Sequence, residues 1–211
     1  MTQDVTPETI ESLFTRPEGY RFARWGRPIA PVVFGVEDAA LGVVKGAIEA
    51  VVALAGHQMA ETDPELGANL MVFFFRDWSE LLDVPDLDRL IPDLGALVPR
   101  LESGGAVQYR TFRFDDAGAI KAAFVFLRMG GGMEDLSADT LALTQAVQVM
   151  LTWGEGAFSE TSPLALHPDT GAAILRPEIA AVIRAAYDPA MPVAADDPSH
   201  ALRLFARVQA G

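Results

Sequence analysis

The sequence predicts an α+β fold: a single domain over residues 24–211, preceded by an N-terminal arm over residues 1–23. Three observations point there. The continuous apolar run NLMVFFF is typical of a strand buried on both faces. VQYRTFRF and AIKAAFVFLRM flank Asp115-Asp116-Ala117-Gly118 as the two arms of a β-hairpin with a Gly-containing turn. The stretches LGVVKGAIEAVVALAG, TLALTQAVQVMLTWG and PEIAAVIRAAY read instead as helices. At 211 residues, 50% hydrophobic and 21% charged, the chain can bury a full core, and roughly 150 residues per domain allows one large domain with a small appendage.

Taken in order, Thr6-Pro7-Glu8 starts a short helix in the arm, since proline suits the first helical turn. RPIAPVVFGV follows as a short strand, with Pro28 and Pro31 holding it to an edge or standing at its first residues. Glu37 and Asp38 open a helix at its positive end, with Leu41, Val44, Ile48, Val51 and Val52 at helical spacing and Gly56 as its stop. AETDPELGA is an acidic loop, a solvated turn whose Glu61, Asp63 and Glu65 lack the spacing of a calcium loop. Residues 77–101 are helical, broken by Pro85, Pro92 and Pro99. The alternation slips between Thr111 and Phe112, which predicts a bulge there. A helix from Ala138 to Trp153, capped by Ser137 or Asp135, leads into a loop reaching about residue 175. Pro177 and Asp197-Pro198 then start two last helices.

Composition excludes several functions. A net charge of −13 argues against nucleic acid and anionic membranes, whose recognition rests on Lys and Arg. The absence of cysteine removes disulfides, thiolate nucleophiles and Cys-ligated metals, and fits the cytoplasm. The N-terminal stretch carries acids where a signal peptide needs a basic region, and no run approaches the 18 or so apolar residues of a membrane span. The expectation is a soluble cytoplasmic protein without a cofactor.

The candidate residues are few. Arg16, Arg21, Arg24 and Arg27 crowd one segment; they read either as a carboxylate or phosphate clamp or as ion pairs packing the arm onto an acidic body. Gly130-Gly131-Gly132 is followed by Glu134 and Asp135, which would repel phosphate, so it reads as a connection. His57 sits at a helix end, where an imidazolium complements the dipole; His200 lies in a first turn at the surface. His167 stands in a long loop with Glu155, Glu160 and Asp169 in the same region. Thr144, Gln145, Gln148 and Thr152 form a polar stripe within one to two turns of a helix. The stripe is an ordinary solvated face, a working site or the remains of one, and its lack of charge sets it apart from most exposed faces.

Arg24-Trp25, Arg27-Pro28-Ile29, ANLMVFFF, the hairpin leading into the Gln148 helix, and PEIAAVIRAAYDPAMP occur in an order and spacing that resembles a family of bacterial proteins with a zincin-like, metalloprotease-related fold. The resemblance covers about residues 24–192 and implies a small mixed sheet with a β-hairpin packed on helices. Zincins carry H-E-x-x-H on the helix after the hairpin, and this family commonly has E-E-x-x-Q there. Here the slot reads Thr144-Gln145-Ala146-Val147-Gln148, so only the glutamine matches. Threonine and neutral glutamine are poor zinc ligands and no bases. The resemblance therefore implies a metal-free domain without catalytic residues, binding a peptide or protein partner in a vestigial cleft lined by Thr144, Gln145, Gln148, Glu155 and His167. The alternatives are a hydrolase with a displaced site at His167, Glu155, Glu160 and Asp169, and a structural homo-oligomer subunit.

Overall fold

The computed structural model describes residues 5–211, so the first four residues of the expected arm lie outside the described residues. The chain opens with α1 (Pro7–Phe14), β1 (Thr15–Arg16), β2 (Gly19–Tyr20), β3 (Phe22–Ala23), β4 (Pro31–Phe34), α2 (Asp38–Leu54) and β5 (Leu70–Phe75). A 3-10 turn (Trp78–Asp83), α3 (Leu87–Leu90) and α4 (Leu94–Ser103) lead to β6 (Gln108–Phe114), β7 (Ile120–Arg128) and α5 (Ala138–Met150). The rest comprises β8 (Leu164–Leu166), β9 (Ala173–Leu175), α6 (Pro177–Ala186), β10 (Ala194–Ala195) and α7 (Ser199–Ala210). This is an α+β chain, and none of its described helices is long and apolar enough to cross a membrane.

The main sheet runs β4-β5-β7-β6, parallel throughout except for β6, which lies antiparallel to β7 at one edge. Proline at the start of β4 suits the other edge, where its missing N–H costs no ladder bond. β5 and β7 are buried on both faces. Leu70, Val72, Val125 and Leu127 face one apolar cluster with α2, α5 and α6. Phe73, Phe75, Phe124 and Phe126 face a second, with Trp78, Leu87, Leu94 and Leu97. Residues 5–23 join the first cluster: Ile10, Phe14, Tyr20 and Phe22 are buried there, and β3 pairs with β10 near the other end of the chain.

Several expectations need correction. Pro99 sits inside α4 without ending it; it removes one backbone bond, while Leu97, Val98 and Leu101 stay buried and hold the helix. The irregularity in the hairpin lies between Arg113 and Phe114, not at Thr111, because the β6–β7 register skips Lys121. Gly118 closes that hairpin at φ +80 as the turn requires. The loop expected up to residue 175 contains the hairpin β8–β9, whose turn spans His167 to Gly171. Asp63 is buried at 3% exposure instead of solvated: it accepts from the backbone N–H groups of Glu65 and Leu66 and from the Asn69 amide. His57 is half-buried, which works against the imidazolium expected there. Burial lowers its pKa against the opposing bond to the Arg27 carbonyl.

His200 is likewise buried, not at the surface, with its ring 4.2 Å from that of Phe22 and Nδ1 2.8 Å from the Tyr20 hydroxyl. Burial, then the charge of Arg203, pushes its pKa down to about 4. The folded value lies below the unfolded one, so the stabilisation is complete above pH ~6.5 and is lost as pH falls towards 4. Wild-type stability should therefore fall by about 3 kcal/mol more than that of His200→Gln between pH 7 and pH 4. Denaturant melts at both pH values measure the difference, and an imidazole NMR titration with a midpoint near 6.5 would overturn it.

Candidate functional site: the cleft beside the edge strand

The polar stripe does not survive as one face. Helix α5 stops at Met150, because Leu151 to Gly154 extend to meet the N-terminal segment. Leu151 bridges Arg24, the Thr152 N–H donates to the Ala23 carbonyl, and the Gly154 N–H donates to the Leu13 carbonyl. Thr152 is buried, and its hydroxyl accepts the Ala23 N–H at 2.7 Å. Carbonyls near the end of α5 find side-chain donors instead: Val147 takes Trp153 Nε1, Val149 takes Trp25 Nε1, and Met150 takes the Tyr187 hydroxyl. Tertiary pairing thus outweighs the helical spacing of 151–153.

A cavity of about 330 Å³ opens between β6, the C-terminal half of α5 and the 153–159 segment, within the range of small-ligand sites. Its walls include Arg16, Gln108, Arg110, Gln148, Trp153 and Glu155. Trp153 is fixed between Phe14, stacked at 5.2 Å, and Phe158, edge-on at 5.1 Å. Alternation along β6 brings Gln108, Arg110 and Phe112 to one face, where all three line the cavity. The Arg128 N–H donates to the Val107 carbonyl, so the odd-numbered residues of β6 bond to β7. The main-chain groups of Gln108, Arg110 and Phe112 therefore point away from the sheet, along an edge where no other described strand pairs.

The expected cleft residues divide. Gln148 and Glu155 line the cavity. Gln145 lies beneath it at 5% exposure; its carbonyl accepts Arg110 Nη2 at 2.6 Å and its amide donates to Gln108 Oε1 at 3.2 Å. Thr144 is not among the lining residues, and its hydroxyl donates to the Thr140 carbonyl one turn back. His167 belongs to the β8–β9 turn, where Nδ1 accepts the Asp169 N–H. Glu160 lines a different cavity, against α1 and α6. The four groups of the displaced-hydrolase alternative thus do not converge on one cavity, and among the described residues no three His, Asp or Glu side chains are grouped to hold a metal.

The arginine-rich segment scatters. Arg27 pairs with Asp63 and Glu65, Arg21 stacks over Phe114, Arg24 over Tyr187, and Arg16 alone reaches the cleft, donating to the Trp153 carbonyl at 3.1 Å. Burial pushes the Arg110 pKa down to about 10, which leaves it charged at neutral pH. Sequence reading missed Arg110, Gln108 and Trp153; the period-two placement of Gln108, Arg110 and Phe112 was the available signal.

Of the two glutamines, Gln145 lies beneath the cleft and Gln148 lines it. Gln145→Ala should cost about 1–3 kcal/mol, since it strips Arg110 and Gln108 of buried partners. Gln148 has no hydrogen-bond partner among the described side chains, so Gln148→Ala should stay within about 0.5 kcal/mol. Denaturant melts of the two variants check the order, and equal effects would return the helix to an ordinary amphipathic surface. In comparisons with known proteins, no protein-family model, no curated protein and no solved structure matches this chain.

Proposed function

We propose that the chain is a metal-free, zincin-like domain that binds an extended peptide, or such a segment of a partner protein, without cleaving it. The observation that carries the reading is the free edge of β6 beside the cavity: its outward N–H and C=O groups can take up a further strand, while the cavity receives a side chain or chain end. The order of the parallel strands, the antiparallel edge strand and the helix that follows supports the zincin-like part. Zinc is bound by thiolate, imidazole or carboxylate. The side chains at 144, 145 and 148 offer a hydroxyl and two neutral amides, the first two engaged elsewhere, so they do not fit that metal. The cysteine-free composition supports a cytoplasmic setting.

The test is fluorescence anisotropy with a labelled pool of degenerate heptapeptides, followed by mass spectrometry of the pool. Saturable binding with unchanged masses is expected, and the N-methylated pool, which cannot donate along the edge, should bind at least about tenfold more weakly. Cleavage of the pool would overturn the non-catalytic reading, and equal binding of both pools would overturn strand pairing.

A second reading, a homo-oligomer subunit, draws on the opposite sheet edge. There Phe34 and Leu90, exposed at 45% and 39%, line a groove beside β4, and such apolar patches mark interaction surfaces. Light scattering that gives a mass above 22.6 kDa, reduced by Phe34→Glu, would support it.

A further inference from the structure

We propose that the cleft takes its ligand by a carboxylate, gripped between Arg16 and Arg110; this rests on the reading of the cleft as a peptide site. Both guanidinium groups line the same cavity. Among the described residues neither has a carboxylate within ion-pair distance, although the chain carries 29 acidic residues and four other arginines are paired. Each also holds a buried Nε with no hydrogen-bond partner. Buried N–H groups without acceptors are uncommon in folded chains and costly. Arg24 carries a third such Nε away from the cavity, so it is the two unpaired charges lining one cavity that point to an acceptor from outside.

The remaining bonds of both groups orient them without neutralising them. Arg110 is held by the neutral carbonyl of Gln145, and Arg16 by the backbone carbonyls of Thr152 and Trp153. Their positive charges therefore remain available. A planar carboxylate matches the guanidinium fork, and Trp153, Phe158 and Phe112 supply apolar wall for the carbon beside it. Glu155, exposed on the same wall, repels a phosphate dianion more strongly than a single carboxylate.

The probe is a fluorescent pool of degenerate heptapeptides made only from uncharged residues, prepared as the free acid, as the C-terminal amide, and as the amide with one internal glutamate. At least one carboxylate-bearing pool should bind at least about tenfold more tightly than the neutral amide, and which one does so tells a chain end from a side chain. Arg16→Gln and Arg110→Gln should each bring the ratio of affinities between the carboxylate-bearing and neutral pools down towards one, and a ratio unchanged in both variants overturns the proposal. Should either variant fold poorly, the wild-type melting temperature with N-acetyl-leucine against N-acetyl-leucinamide and inorganic phosphate gives the same comparison. A rise with the acid alone supports the proposal. Equal affinity for all three pools overturns carboxylate recognition and leaves peptide binding intact. No binding of any pool, with N-acetyl-leucine still raising the melting temperature, overturns the peptide reading and keeps the carboxylate. A larger rise with phosphate than with N-acetyl-leucine overturns the carboxylate.

Discussion

Asp63→Ala should lower the unfolding free energy by about 3 kcal/mol, the lower end of what removing one partner of a buried ion pair costs. The carboxylate is almost wholly enclosed and accepts from two backbone N–H groups and the Asn69 amide, with Arg27 Nη1 at 3.5 Å. Asn69 in turn accepts the Ala30 N–H and donates to the Pro28 carbonyl, so this pair adds side-chain bonds to the backbone bonds that tie the loop to the residues before β4. Burial by itself would raise the Asp63 pKa, but the Leu66 and Glu65 N–H groups, Asn69 and Arg27 outweigh it and hold it below the ordinary value of 3.8. A folded pKa below the unfolded one means that the stabilisation is full above pH ~4 and is lost as pH falls through the folded value. The gap between wild type and Asp63→Asn, measured by denaturant melts, should therefore be constant from pH 7 to about pH 5 and narrow below about pH 4. A gap independent of pH down to 2 would show that the charge contributes nothing.

Gly154→Ala should cost about 2–3 kcal/mol, at the upper end of what overpacking typically does. A Cβ on this residue would run into the Thr15 backbone carbonyl, which cannot swing aside as a flexible side chain would. The Gly154 N–H already holds the Leu13 carbonyl at 2.8 Å, so separating the two segments also breaks that bond. Arg16 follows Thr15 directly, and the displacement should carry its guanidinium off the cleft. Weaker peptide binding should accompany the loss of stability. An alanine variant within about 0.5 kcal/mol of wild type, the range of an ordinary surface change, would mean that the two segments are not in contact.

The sequence by itself determined the sheet's strands, most of the helix starts and the hairpin turn. NLMVFFF is apolar on both faces and lies inside the sheet; AIKAAFVFLRM pairs as an arm of the hairpin; Pro31 stands at the first residue of an edge strand; Gly118 meets a turn that needs positive φ. These are local matters of side-chain pattern and backbone freedom, and they can be read from neighbours in the chain. Gln148 and Glu155, which the family resemblance singled out, both line the cavity beside β6. Only the tertiary structure decided where α5 ends, which glutamine is buried, and that His200 and Asp63 lie inside. Each depends on a partner further along the chain: Ala23 and Leu13 for the 151–154 segment, Arg110 for Gln145, Tyr20 for His200, and Arg27 for Asp63. A polar side chain is buried when a partner can replace water, and periodicity along the sequence carries no record of that partner. For the same reason the cleft's arginine pair was out of reach: residues 16 and 110 become neighbours only once the N-terminal segment lies against the end of α5 and β6 forms the sheet's edge.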